Sequence, residues 1–329
     1  MNNKILQDIV QNKDLLLGTL RDDIDYPKLV QAARDSWKDY EPIPDSSTKT
    51  VAIDGGMNFK PFQGMTLYVV DSVAVTPTNH MVNGIGKHGS GMDWDYDINT
   101  YNKEHVQSKM MISEMKSLTQ ALTVDYVDKG LAIPDHILVD GSFASWSESG
   151  VFKGAYPEAQ EAKAIFLTTI RQRHLLTVPK MPVFISKSSD SPFYFKNIKT
   201  ENKMGDIFYF NEMNHREAGY SAVKENSNYL KKSRIGIITF FARLKKDLPI
   251  YKYELLNTSG TLLTKEQLKE LEEKFIRKLL DRLVYLSVKG YPYCLNLAHQ
   301  NAKISDPDLR KVIRVLRMER EPGSREAVE

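Results

Sequence analysis

Apolar positions in this chain fall into two patterns, short unbroken runs and longer stretches at helical spacing. Val51-Ala52-Ile53-Asp54-Gly55-Gly56 and Ile137-Leu138-Val139-Asp140-Gly141-Ser142 are of the first kind. Each predicts a strand buried on both faces, closed by an aspartate and a glycine that lets the backbone turn or approach a ligand. Residues 182–187 form a third run ending at Lys187, and residues 65–76, 235–242 and 250–255 predict further strands. Helical spacing marks the first fifty residues, with Ile5, Ile9, Leu15, Leu16 and Leu20 apolar before a break at Pro42, Pro44, Ser46 and Ser47. It returns over 105–129, 157–176 and 265–289. The last of these opens on Thr264 and Gln267 at capping-box spacing and stops at Gly290. A final helix is expected with Asp306 as N-cap and Pro307 at its first position. Residues 77–103, polar and holding four glycines, predict an exposed connection.

Strands and helices alternate without a composition break, which predicts one α/β domain over residues 51–329 and a helical N-terminal extension over residues 1–50. The 329 residues, 41% hydrophobic and 26% charged, suffice for a substantial core. A net charge of +3 excludes a histone-like polycation but allows a local basic groove. One cysteine, Cys294, excludes an internal disulfide framework and a Cys-rich zinc site. With neither a signal-peptide pattern nor an apolar run of membrane-spanning length, a cytoplasmic protein is expected.

The chemistry rests on the two aspartates. At the carboxyl ends of adjacent strands, where open α/β sheets place their sites, two carboxylates would come together, and a divalent cation would stabilise them. The plainer alternative is that each caps a turn. Glu114, on the helix before the second run, is a candidate third carboxylate, with Asp125 and Asp128 as rivals and an ordinary solvated glutamate as the alternative. Lys187 could hold a phosphate or stabilise a leaving group, and His299 could orient a water or shuttle a proton. The plainer alternatives are a surface lysine at a turn and a satisfied structural histidine. Between Tyr220 and Lys252, the basic residues Lys231, Lys232, Arg234, Arg243, Lys245 and Lys246 lie among Tyr220, Tyr229, Phe240, Phe241 and Tyr251. This suits a single-stranded nucleic acid groove, or strands with aromatics inward and lysines outward.

Taken in order, residues 51–56, Glu114, residues 137–142, residues 184–188 and residues 290–305 resemble the motifs of the NurA nuclease family. The resemblance spans essentially the whole chain. It implies a ribonuclease-H-like fold, with a central mixed sheet flanked by helices. It also implies a manganese-dependent DNA nuclease, with magnesium as the alternative ion and two ions per site. The activities implied are single-strand endonuclease and 5′-to-3′ exonuclease. Asp54, Glu114 and Asp140 would be metal ligands, and Lys187 and His299 auxiliary catalytic residues. The partners implied are single-stranded DNA or DNA ends, a second copy in a homodimer, a HerA-type hexameric translocase and other double-strand-break repair proteins. The chain departs from the family in reading Asp-Gly-Gly at the first motif, and in a longer interval from Glu114 to Asp140. Two rivals remain: an actin- or sugar-kinase-like ATPase, which would need a glycine-rich adenosine turn where late glycines here are isolated, and a non-catalytic DNA-clamping subunit of a motor.

Overall fold

The apolar runs pair side by side. The computed structural model describes residues 10–12, 26–62, 65–93, 103–148, 157–172, 181–188, 193–195, 205–213, 215–226 and 234–318. The chain begins with α1 (Tyr26–Asp35), β1 (Trp37–Asp39), β2 (Thr50–Phe62), β3 (Met65–Val75), β4 (Met81–Asp93) and α2 (Lys103–Thr123). It continues through β5 (His136–Asp140), α3 (Phe143–Glu148), α4 (Pro157–Arg171), β6 (Met181–Ser186), α5 (Asp206–Glu212), β7 (Gly219–Ser221) and β8 (Lys224–Asn226). It closes with β9 (Gly236–Arg243), β10 (Tyr251–Asn257), α6 (Lys265–Leu271), α7 (Arg277–Leu286), β11 (Ser287–Val288), β12 (Tyr291–Pro292), α8 (Tyr293–Ala302) and α9 (Asp306–Val315). Among the described residues these strands form one sheet in the order β1-β7-β9-β10-β6-β5-β2-β3-β4, with β8 also paired to β9 and β11–β12 a separate hairpin. The pairs β2–β5 and β5–β6 are parallel and the others antiparallel.

The sheet divides two cores. Alternate residues of β2 point to opposite sides: Ala52 joins the core under α6, α7 and α8, while Val51 and Ile53 join the core under α2, α3 and α4. This explains why the central runs lack polar alternation. A smaller aromatic core joins α1 to α5, with Phe210 and Phe241 stacked at 4.5 Å. Thr264 and Gln267 do form a capping box, but a π-helical turn at Glu272–Ile276 interrupts the predicted single helix between α6 and α7.

Several expectations are corrected. The glycine-rich stretch contains β4, whose polar residues suit a strand at the end of the sheet; Gly86 and Gly89 leave room for β3. The helix expected to reach residue 129 ends at Thr123, followed by a turn in which Asp125 accepts the Val127 N–H at 2.9 Å. Gly290, with φ +84°, turns the β11–β12 hairpin instead of stopping a helix directly. Ser305, not Asp306, is the N-cap of α9, in a reciprocal box with Asp308. Within residues 26–50, β1 pairs with β7, so that stretch is partly woven into the sheet. The helical positions Ile5, Ile9, Leu15, Leu16 and Leu20 lie outside the described residues.

Candidate active site

The parallel pair β2–β5 brings the two Asp-Gly segments together. Ile53 is level with Val139, so Asp54 and Asp140 are the next residues on neighbouring strands, which lie roughly 4.8 Å apart. Only one of them ends its strand. β5 stops at Asp140, whereas β2 runs on for eight residues past Asp54, paired with β3 and covered at its far end by α9. The site is therefore a notch, made where β5 and β6 end and the β2–β3 ribbon continues.

Asp54 is buried in this notch. Its Oδ1 accepts the Gly55 N–H at 2.8 Å, and its Oδ2 faces His299 Nδ1 at 2.9 Å. Burial, and secondarily the Asp140 charge, push its pKa up to about 6, although His299 and the Gly55 N–H pull the other way. Glu114 reaches the same place from α2, on the opposite face of the sheet. A Cβ on Gly55 would come within 2.6 Å of Glu114 Oε1, so that carboxyl occupies the space this glycine leaves. Burial raises the Glu114 pKa well above the usual range, and the Asp54 and Asp140 charges raise it further. Glu114 is thus no solvated glutamate.

Lys187, one residue past β6, contacts Asp140 Oδ2 at 3.2 Å and lies 4.2 Å from the Tyr291 ring centre. Tyr291 is a residue the sequence pattern missed. Its hydroxyl is buried close enough to Asp140 to feel that charge but closes no hydrogen bond of normal geometry. Burial first, and Asp140 second, push its ionisation far above the tyrosine range. A tyrosine two residues before a helix, in a two-strand hairpin, carries no periodic signal. Only its nearness to His299 in sequence could have drawn attention to it. His299 is held by α8, which approaches β2 closely because Gly56 has no side chain: a Cβ there would lie 1.8 Å from the Ala302 carbonyl oxygen.

The donor set fits a hard divalent cation: three carboxylates, two with raised pKa values, and no soft ligand. Among the described residues no three acidic, histidine or cysteine side chains already close as a metal cage. What the structure presents is carboxylates held near one another against their repulsion, which added positive charge would relieve.

The described members of the basic cluster, Arg234, Arg243, Lys245 and Lys246, do not share one surface. Arg243 is buried and donates to the carbonyl oxygens of Leu248, at 2.8 Å, and His215. Lys246 pairs with Glu217. Arg234, before the first residue of β9, lies at the sheet edge opposite the notch, whereas Lys245 follows the last residue of β9 on the notch side. Lys231, Lys232 and Tyr229 lie outside the described residues. Tyr220, Phe240 and Phe241 are core residues, so these three rings pack inward and offer no stacking face. No helix among the described residues is long and apolar enough to cross a membrane.

The NurA domain family model matches residues 48–304. The chain is 24% identical over 314 residues to a DNA double-strand break repair nuclease NurA from Sulfolobus acidocaldarius, covering 86% of this chain and 85% of that one. Its fold is similar to the crystal structure of the NurA nuclease from Sulfolobus solfataricus, with a TM-score of 0.67 at 18% identity, covering 97% and 98% of the two chains. It is also similar to a NurA crystal structure bound to dAMP and manganese, with a TM-score of 0.57 at 14% identity over 98% and 99%. The fold is thus ribonuclease-H-like, as the motif order implied.

Proposed function

The chain belongs to the NurA family, and from that membership we propose that it is a divalent-cation-dependent DNA nuclease that hydrolyses phosphodiester bonds at the notch. The observation that carries this reading is the level placement of Asp54 and Asp140 on neighbouring parallel strands, with Glu114 electrostatically linked to both. Asp54 and Asp140 would hold the cations, with Glu114 as the third carboxylate. Two bound Mn²⁺ ions, or Mg²⁺, would supply charge neutralisation at the phosphate and an activated water.

The other residues act through atoms already placed. With Asp54 ionised, His299 Nδ1 carries the hydrogen of their contact, which leaves Nε2 to orient a water or move a proton. Lys187, half exposed, is placed to hold a phosphate oxygen, and Asp140 together with the Tyr291 ring restrains its ammonium. The Tyr291 hydroxyl, buried beside Asp140, would help to orient that carboxylate. Lys245 would guide the DNA backbone at that sheet edge, with Lys246 beside it and Arg234 at the opposite end of β9 reached only if the strand wraps further; Lys231 and Lys232 remain candidates for the same contact. Arg243 has no such role.

The finer activity proposed is single-strand endonuclease and 5′-to-3′ exonuclease cleavage by a homodimer, working with a HerA-type hexameric translocase in double-strand break repair. The test is cleavage of labelled single-stranded DNA with Mn²⁺, Mg²⁺ or EDTA side by side. Cleavage should require the cation, and Asp54→Ala or Asp140→Ala should abolish it while folding and DNA binding persist. Full Mn²⁺-dependent cleavage by both variants would falsify the assignment. ATP hydrolysis without DNA, or chelator-insensitive DNA retention without cleavage, would replace it with a kinase-like or clamping role.

A further inference from the structure

On the face covered by α2 and α3, beneath the notch, lies a buried charge pair that the proposed chemistry does not use. Lys252 and Glu254 share one side of β10, with side chains 3% and 1% exposed and Nζ 2.6 Å from Oε1. Stability does not account for so deep an ion pair, because apolar residues of similar volume serve such positions as well or better. Directly across the neighbouring strands on this face lie Phe184, Phe241, Ser186 and Thr239, and the buried Asp206 is close enough to feel the Lys252 charge.

The remaining bonds of Glu254 show what the pair holds. Ser142 Oγ donates to its two carboxylate oxygens at 3.1 and 3.0 Å, and the Ala144 N–H donates to Oε2 at 3.1 Å. Ser142 Oγ also accepts the Ser145 N–H at 3.3 Å. These donors belong to Ser142, which links Asp140 to α3, and to the first turn of α3 itself. Because β6 lies between β10 and β5, Glu254 reaches past one whole strand to meet them. The same link is tied to β6 itself, where the Gly141 N–H donates to the Ile185 carbonyl at 2.9 Å. Gly141, at φ +106°, has open space where a Cβ would lie, so that backbone bond and the anchored residues after it hold the turn.

We propose that Glu254 is a positioning residue for Asp140. Lys252 allows a full carboxylate to be buried there, and that carboxylate fixes residues 142–144, hence the direction in which Asp140 is presented beside Asp54. Glu254 touches no reacting atom and acts through Ser142 and Ala144. This inference rests on the nuclease reading above.

The test compares Ser142→Ala, Ser142→Thr and the double variant Lys252→Met/Glu254→Met, which removes the acceptor without leaving a buried lysine unpaired. Calorimetry measures Mn²⁺ binding without DNA, thermal unfolding is followed in EDTA, and cleavage is assayed across Mn²⁺ concentrations. Ser142→Ala and the double variant should bind Mn²⁺ about tenfold more weakly, the lower end of what lost support behind a ligand costs. The cleavage midpoint should shift in parallel, while Ser142→Thr keeps wild-type affinity because it keeps the hydroxyl. The EDTA unfolding midpoint of Ser142→Ala should move by no more than about 4 °C. Wild-type Mn²⁺ affinity in Ser142→Ala and the double variant overturns the inference. So does a Ser142→Thr as weak as Ser142→Ala, or a loss of binding that merely follows loss of stability. If the wild-type protein itself neither binds Mn²⁺ nor cleaves, the nuclease reading fails and takes this inference with it.

Discussion

The two Asp-Gly segments look alike in sequence and are built for opposite reasons. At Asp54-Gly55-Gly56 the strand does not turn, and both glycines are needed for space: one admits the Glu114 carboxyl, the other the Ala302 carbonyl. At Asp140-Gly141-Ser142 the strand ends, space is plentiful, and the glycine is needed for its φ of +106°. One segment is a wall against which α2 and α8 press their functional side chains. The other is a loose end that must be tied down from outside. A repeated motif can therefore place equivalent carboxylates while assigning its glycines unrelated tasks.

Gly56→Ala should break this comparison most severely. Its methyl would meet backbone, so no nearby side-chain truncation relieves it and α8 must move with His299. A loss of about 3 kcal/mol by urea titration is expected, the upper end for overpacking, together with loss of cleavage. Asp54→Asn should act in the other direction on stability. The carboxyl pKa is raised from 3.8 to about 6, so between those values the folded protein holds the proton more tightly than the unfolded chain. Its stabilising effect is complete below pH 3.8 and is lost as pH rises through 6, leaving a penalty at neutral pH. Without a cation, Asp54→Asn should gain about 2 kcal/mol at pH 8, and the gain should fade towards pH 4 in thermal unfolding scans. Glu114→Gln should follow the same sign, since burial and the two aspartates raise its pKa as well.

The glycine pair next to the carboxylates sharpens the contrast at smaller scale. Gly55→Ala should cost about 1–2 kcal/mol by displacing Glu114, and Gly55→Ala/Glu114→Ala should recover most of it in denaturant titrations. Gly141→Ala should cost about 1 kcal/mol from backbone strain alone, with no truncation able to recover it. Recovery at position 141 by trimming a neighbour would show that the two glycines do the same work after all.

Much of the fold was legible where burial is symmetrical. The runs at β5 and β6, the capping box at Thr264 and the approximate limits of β9 and β10 all follow from local pattern. β4 was not legible, because its glycines read as connection when its strand character comes from pairing with β3. Nor was the continuation of β2, since Gly55 and Gly56 signal a turn unless the helices they admit are known. Asp54, Asp140, Glu114, Lys187 and His299 do come into one neighbourhood. Tyr291 and Glu254 escaped notice because one lies in a two-residue strand and the other within a run read simply as a strand. Phe240 and Phe241 left the basic-aromatic cluster for a related reason. Strand alternation sends Phe240 and Phe241 to opposite faces, each into a core.

Ionic strength should act unevenly across the notch. The side chains of Asp54 and Glu114 are shut away from solvent, whereas those of Lys187 and His299 are 52% and 55% exposed. Mobile ions at 0.15 M damp fields over about 8 Å in water and much less in the interior. If Lys187 holds a phosphate as proposed, added potassium chloride should therefore weaken that grip while leaving the mutual repulsion of the inner carboxylates almost untouched.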